Sequence, residues 1–132
     1  MTTKAEQLQQ RTKMFAVAAV KFVRGMSRNQ EHWVIGNQFL RCSTSVAANY
    51  RAACRARSRA DFISKIGVVL EEADESVFWL ELMLEAGTMS SDRIASLLDE
   101  ARQLVAIFAA TRITAQANTM NFQSEIRTLT WI

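Results

Sequence analysis

The stretch "IGNQFLRCSTSVAANYRAA", residues 35–53, decides the fold. Ile35, Phe39, Cys42, Val46, Asn49 and Ala53 recur in alternating steps of four and three, the spacing of a heptad seam. On a helical wheel these positions fall within about 60° of one another, so one stripe of a helix faces its neighbours. Arg41, Arg51 and Arg55 fall on the far side of that wheel, pointing away from the core. Asn49 is the polar member of the stripe. A buried amide must find partners, and an Asn at a seam position fixes register or oligomer state at some cost in stability. A role in a binding site is its alternative reading.

Outward from this helix the pattern continues. Upstream, Thr3 and Glu6 have the spacing of a capping box, and Phe15, Ala18, Ala19, Phe22, Val23 and Met26 follow at helical intervals. Gly25 weakens the end of that helix, and "SRNQE" at 27–31 reads as the connection. Downstream, Ser58 and Asp61 mark another helix start. The third helix carries one apolar row at Phe62, Ile66, Val69, Ala73, Ser76, Leu80 and Met83, and a second at Ile63, Leu70, Val77 and Leu84. Two adjacent rows suit a helix that touches two neighbours. Gly87 is a stop signal, and "TMSSD" forms a turn in which Ser90 or Ser91 caps a fourth helix. That helix presents Ile94, Leu97, Leu98, Ala101, Leu104, Val105, Phe108 and Ala115.

The expected fold is all-α: an antiparallel up-down-up-down four-helix bundle over residues 1–117, with 118–132 a C-terminal tail that loses the helical period. Composition agrees, since 132 residues with no proline and four glycines leave the backbone hydrogen-bond ladder uninterrupted. The N-terminus is too polar for a secretory signal, and "MFAVAAV" at 14–20 is far too short to span a bilayer. The chain reads as cytoplasmic. Cys42 and Cys54 would lie roughly 18 Å apart along one helix, beyond disulfide reach, and read as small packing residues.

Charge is unevenly distributed. The net value of +3 hides eleven Lys/Arg against two acids over residues 11–65, and nine acids against Arg93 alone over 71–100. The densest basic segment is "RAACRARSR", residues 51–59, holding Arg51, Arg55, Arg57 and Arg59. Arg24 and Arg28 close the first helix, at the opposite end of an antiparallel pair from Arg57. The basic surface would therefore be a stripe along the bundle. Guanidinium groups fit phosphate through their planar fork. Among these arginines the interleaved aromatic is Tyr50, which does not make a base-stacking platform, so nucleic-acid binding would be directed at the backbone and sensitive to salt. The equally open alternative is that the arginines pair with the acidic third helix, in the same chain or across a subunit interface.

Catalytic and metal sites find little support. His32 is the single histidine and reads as a polar helix-start residue; a carboxylate-bridged di-metal site would need two Glu-x-x-His motifs. No glycine-rich phosphate loop is present. Glu71 and Glu75 share a helix face as like charges, and salt bridges or solvation explain them better than a cation held by one helix. No cofactor, metal or catalytic residue is expected.

Between Gln38 and Leu84 the ordered set Gln38, Arg41, Ser45, Asn49, Arg57, Asp61, Phe62, Lys65, Glu72, Glu75, Trp79 and Leu80 resembles the four-helix-bundle family typified by the ribosomal-RNA intervening-sequence protein. The chain is also similar to the accessory variability protein of diversity-generating retroelements. The resemblance implies a ring-like homopentamer, and a basic surface that binds RNA or DNA in partnership with another protein. Asn49, Glu72 and Glu75, which meet the family pattern, are read as structural polar residues. Many members carry a Glu shortly after the Asn; here Ala52 and Ala53 stand there, so any role of that carboxylate is absent. Two readings follow: a non-enzymatic oligomer that binds nucleic-acid backbone through Arg24, Arg28, Arg41, Arg51, Arg55, Arg57 and Arg59, or a scaffold whose basic face docks on an acidic protein or the neighbouring subunit.

Overall fold

A computed structural model describes residues 2–87 and 91–117. Among the described residues the chain forms four helices and no strand: α1 (Lys4–Arg24), α2 (Gln30–Ala53), α3 (Arg59–Ala86) and α4 (Ser91–Ala117). Local chemistry sets most of the ends. The Thr3 hydroxyl accepts a hydrogen bond from the Glu6 amide at 3.1 Å, and Ser58 does the same for Asp61 at 3.0 Å. Asn29 caps α2 through the His32 amide at 2.8 Å, so α2 begins at Gln30, inside the segment expected to be connection. Gly87, at φ 65°, closes α3 in the left-handed conformation that a side chain would penalise. Ser91 is the first residue of α4; Ser90 and the 118–132 tail lie outside the described residues.

Side-chain contacts give the helix directions. Arg11 forks onto Glu100 at 2.9 and 2.7 Å while Arg93 lies over the Phe22 ring, so α1 and α4 run oppositely. Ser76 meets Cys42 at 3.3 Å, and Arg59 at the start of α3 reaches Ala115 near the end of α4. Each helix packs on the next, and α4 returns to α1 through a thinner interface than those between consecutive helices. The core is built from edge-on aromatic pairs, Phe15 and Phe22 against Phe39, and from Ile66, Leu80, Met83, Ile94 and Leu104. Burying each such side chain is worth about 1.5–3 kcal/mol. Gly36 belongs to this packing, because a Cβ there would sit 3.2 Å from the Met26 sulfur and 3.4 Å from Val23.

The buried face of α2 differs from the expected seam. Phe39, Cys42, Val46 and Ala53 are fully buried, but Ile35 and Asn49 are half-buried, while Gly36, Ser43 and Tyr50 are inside. The physical reason is that α2 packs on both α1 and α3, which needs a wider strip than a two-helix seam. Asn49 spends its amide locally, donating to the Ser45 carbonyl and hydroxyl, both at 2.9 Å. It has no partner on another helix among the described residues, so the inter-helix register role expected of it finds no contact here.

Candidate nucleic-acid interface

The outward side of the α1–α2 pair gathers cations at both ends. At the end formed by the start of α1 and the close of α2, Lys13, Arg51 and Arg55 line an open groove of about 600 Å³ together with Gln9, Thr44 and Glu6. At the other end, Arg24 and Arg28 border a hollow of about 780 Å³ whose wall includes Trp33. Among the described residues none of these five cations makes an ion pair with a carboxylate. The one acid in the groove, Glu6, lies at the helix start, where its charge favours the α1 dipole. Trp33 and Arg51 are eighteen residues apart on one helix, about 27 Å of rise. The two groups of cations therefore lie toward opposite ends of the α1–α2 pair.

The other arginines are occupied. Arg41 reaches Glu72 at 3.2 Å and Glu75 at 2.6 Å, joining α2 to α3. Arg59 donates to the Ala115 and Gln116 carbonyls at 2.7 and 2.6 Å, tying the start of α3 to the last turn of α4. Arg41 thus pairs with the acidic third helix in the same chain, as the alternative reading had it, whereas Arg59, itself on α3, is taken up by backbone carbonyls of α4. Arg57 stands at the α2–α3 corner with its side chain exposed and its backbone amide on Asp61 at 3.2 Å. The Asp61 carboxylate is held below its usual range, first by the Lys65 ammonium at 2.6 Å and then by that amide.

Tyr50, the aromatic inside the basic segment, is completely buried against Phe108, with ring centroids 5.2 Å apart. Its hydroxyl sits beside the Cys54 thiol without making a well-formed hydrogen bond, and burial raises it above the usual phenol range. Cys42 and Cys54 are free thiols, both pushed up by burial, which leaves them poor nucleophiles. His32 is buried at the base of the Trp33 hollow, with its Nδ1 2.9 Å from both the carbonyl and the hydroxyl of Ser27. Among the described residues no group of three His, Cys, Asp or Glu is placed to hold a metal ion. No helix among them is long and apolar enough to cross a membrane.

Residues 4–110 match the model of the 23S rRNA-intervening sequence protein family. The chain belongs to that family. A crystal structure of a protein of unknown function from the S23 ribosomal protein family of Bacteroides thetaiotaomicron is similar to it, with 31% identity and a TM-score of 0.74 over 79% of this chain and 96% of that one. No curated protein matches.

Two residues of the α1–α2 face were missed by sequence reasoning. Lys13 lies on the side of α1 opposite Phe15, Ala19 and Phe22, and the same wheel applied to α1 would have shown it. Trp33 sits far from the α2 seam and is 70% exposed, an aromatic among arginines where only Tyr50 was considered.

Proposed function

We propose that this protein is a non-enzymatic, homo-oligomeric accessory protein that binds the backbone of RNA or DNA along its α1–α2 face. The observation that carries the reading is that Lys13, Arg24, Arg28, Arg51 and Arg55 share this face without carboxylate partners among the described residues, although the chain has thirteen acids. Cations left uncompensated on one face create a field that a polyanion neutralises. Membership of a family named for an rRNA intervening sequence points to the same class of ligand. Arg57, exposed at the adjoining corner, extends the surface; Arg41 and Arg59 are left out of it. The assembly is the homopentamer implied by the sequence resemblance, which would repeat the face and add avidity.

Fluorescence anisotropy of a structured RNA and a DNA duplex across a salt series from about 50 to 200 mM tests this reading. One phosphate per cation gives a log–log slope of about −4 to −5 for duplex. Absence of binding at the lowest salt would overturn it. Light scattering of the same sample checks the assembly.

A second reading rests on a different surface. Val34, Val68 and Phe78 are exposed on α2 and α3, and Glu71 and Glu75 lie on α3 among the latter two. An acidic and aromatic face of this kind suits a protein neighbour, including the basic face of a second copy. In that case Arg55→Glu would dissociate the oligomer rather than release nucleic acid.

A further inference from the structure

We propose that the hollow at the α1–α2 corner receives an unpaired nucleobase, stacked on Trp33, with Arg24 and Arg28 taking the flanking phosphates. The inference rests on the backbone-binding reading above and adds to it a preference for single-stranded or looped nucleic acid.

The two ends of the α1–α2 face are built differently. The groove at Arg51 and Arg55 is lined by charged, amide, hydroxyl and alanine side chains, with no aromatic ring, so it offers charge and hydrogen bonds but no stacking surface. The hollow at the other end combines Trp33 with Val23 and Met26, the two arginines and the amide of Asn37. No carboxylate lines it. A single exposed indole would carry no weight, since isolated apolar residues on a surface are ordinary. Here the indole is 70% exposed and borders a concavity of about 780 Å³, beside two cations that have no ion-pair partner among the described residues.

That set selects its occupant. The ligand must carry negative charge on a flexible chain and must bring a flat, weakly polar group that the indole can cover. A nucleotide in an unpaired segment meets both demands, because every base has a π-face and every linkage a phosphate. A base held in a duplex keeps its face covered by neighbouring pairs and cannot reach the indole. Asn37 brings an amide with donors and an acceptor for a base edge. His32 beneath keeps its Nδ1 against the carbonyl and hydroxyl of Ser27, which fixes the imidazole as part of the floor. The phosphates that follow are within reach of the same face, which continues about 27 Å to Arg51.

The test uses the full chain and a fluorescein-labelled single-stranded oligoadenylate, a blunt duplex, and the same single strand with abasic sites. Trp33→Ala is expected to weaken binding of the single strand about tenfold, the lower part of the range for loss of one stacked base. Duplex affinity should stay within about twofold, since phosphate contacts set it. Trp33→Phe should retain most of the single-strand affinity, and indole quenching by oligoadenylate should disappear in that variant. The abasic strand should bind wild type no better than it binds Trp33→Ala. Equal losses for single strand and duplex, or no loss for either, overturn the stack while leaving the backbone reading intact. Wild type that binds none of the three probes removes the backbone reading, and the stack with it. Quenching by an acidic peptide but not by oligoadenylate would give the hollow to a protein partner and overturn the proposal.

Discussion

On the side of α2 that meets α3, Arg41 is held between Glu72 and Glu75. On the side that meets α1, Arg51 and Arg55 face Lys13 and a groove with one acid. Arg41 and Arg51 are of the same type and on the same helix, about three turns apart, and Arg55 follows just past its end. Their different fates come from the neighbouring helix: α3 brings carboxylates and α1 brings mostly lysine, arginine and glutamine. Charge density along a sequence thus says how many cations a surface holds, and the packing partner says which of them are left for a ligand.

The sharpest way to break this comparison is to reverse the charge of one flank at a time. Arg51→Glu combined with Arg55→Glu should lower nucleic-acid affinity on the order of a hundredfold, because two phosphate contacts are lost and two repulsive ones added. Circular dichroism should show an unchanged fold, since both side chains are exposed. An affinity within threefold of wild type would show that the α1–α2 face is not the ligand surface. Next in size comes the buried side of the same helix. Tyr50→Phe deletes a buried hydroxyl that makes no hydrogen bond and should stabilise the bundle by about 1 kcal/mol in urea unfolding. The wild-type phenol lies above its ordinary value, so its contribution is intact below about pH 10 and is lost as pH rises through the folded value. Tyr50→Phe should lack this alkaline component. A loss of stability in the variant would mean that the hydroxyl has a partner.

Arg41→Ala is the counterpart on the compensated flank. Arg41 and Glu75 are about half exposed, so the variant should lose about 1 kcal/mol in denaturant and should leave nucleic-acid affinity within twofold. A large loss of affinity would place Arg41 on the ligand surface and erase the contrast between the flanks. The smallest effect is expected at the α2–α3 corner. The Asp61 carboxylate lies below its ordinary value, so its contribution is complete above about pH 4 and is lost as pH falls through the lower folded value. Asp61→Asn should flatten the acid limb of the stability curve; an unchanged limb would show that the Lys65 contact contributes nothing.

How much of this was legible in the sequence follows from the range of each interaction. Thr3, Ser58 and Gly87 were readable because a cap joins residues three or four apart. The apolar rows of α3 and α4 were readable because burial follows helical period, and Ile66, Leu80, Ile94 and Phe108 are all in the core. The exchange of Asn49 for Tyr50 at the inner face of α2 was not, because the width of a buried strip depends on how many helices touch it. Nor were the partners of Arg41 and Arg59, which lie 31 and 56 residues away in the chain. Trp33 escaped notice because its meaning comes from Arg24 and Arg28, brought beside it when the chain reverses between α1 and α2.

The Arg59 contact also bears on how the bundle comes apart. By donating to the Ala115 and Gln116 carbonyls, one guanidinium joins the first turn of α3 to the last turn of α4. Helix ends ordinarily open first, and amide hydrogen exchange there is fast. Here the closing turn of α4 is tethered to a turn whose own amides are held by Ser58, so the two should open as one unit and exchange at a common rate. The last described turn of the fourth helix becomes, in kinetic terms, an interior piece of the fold.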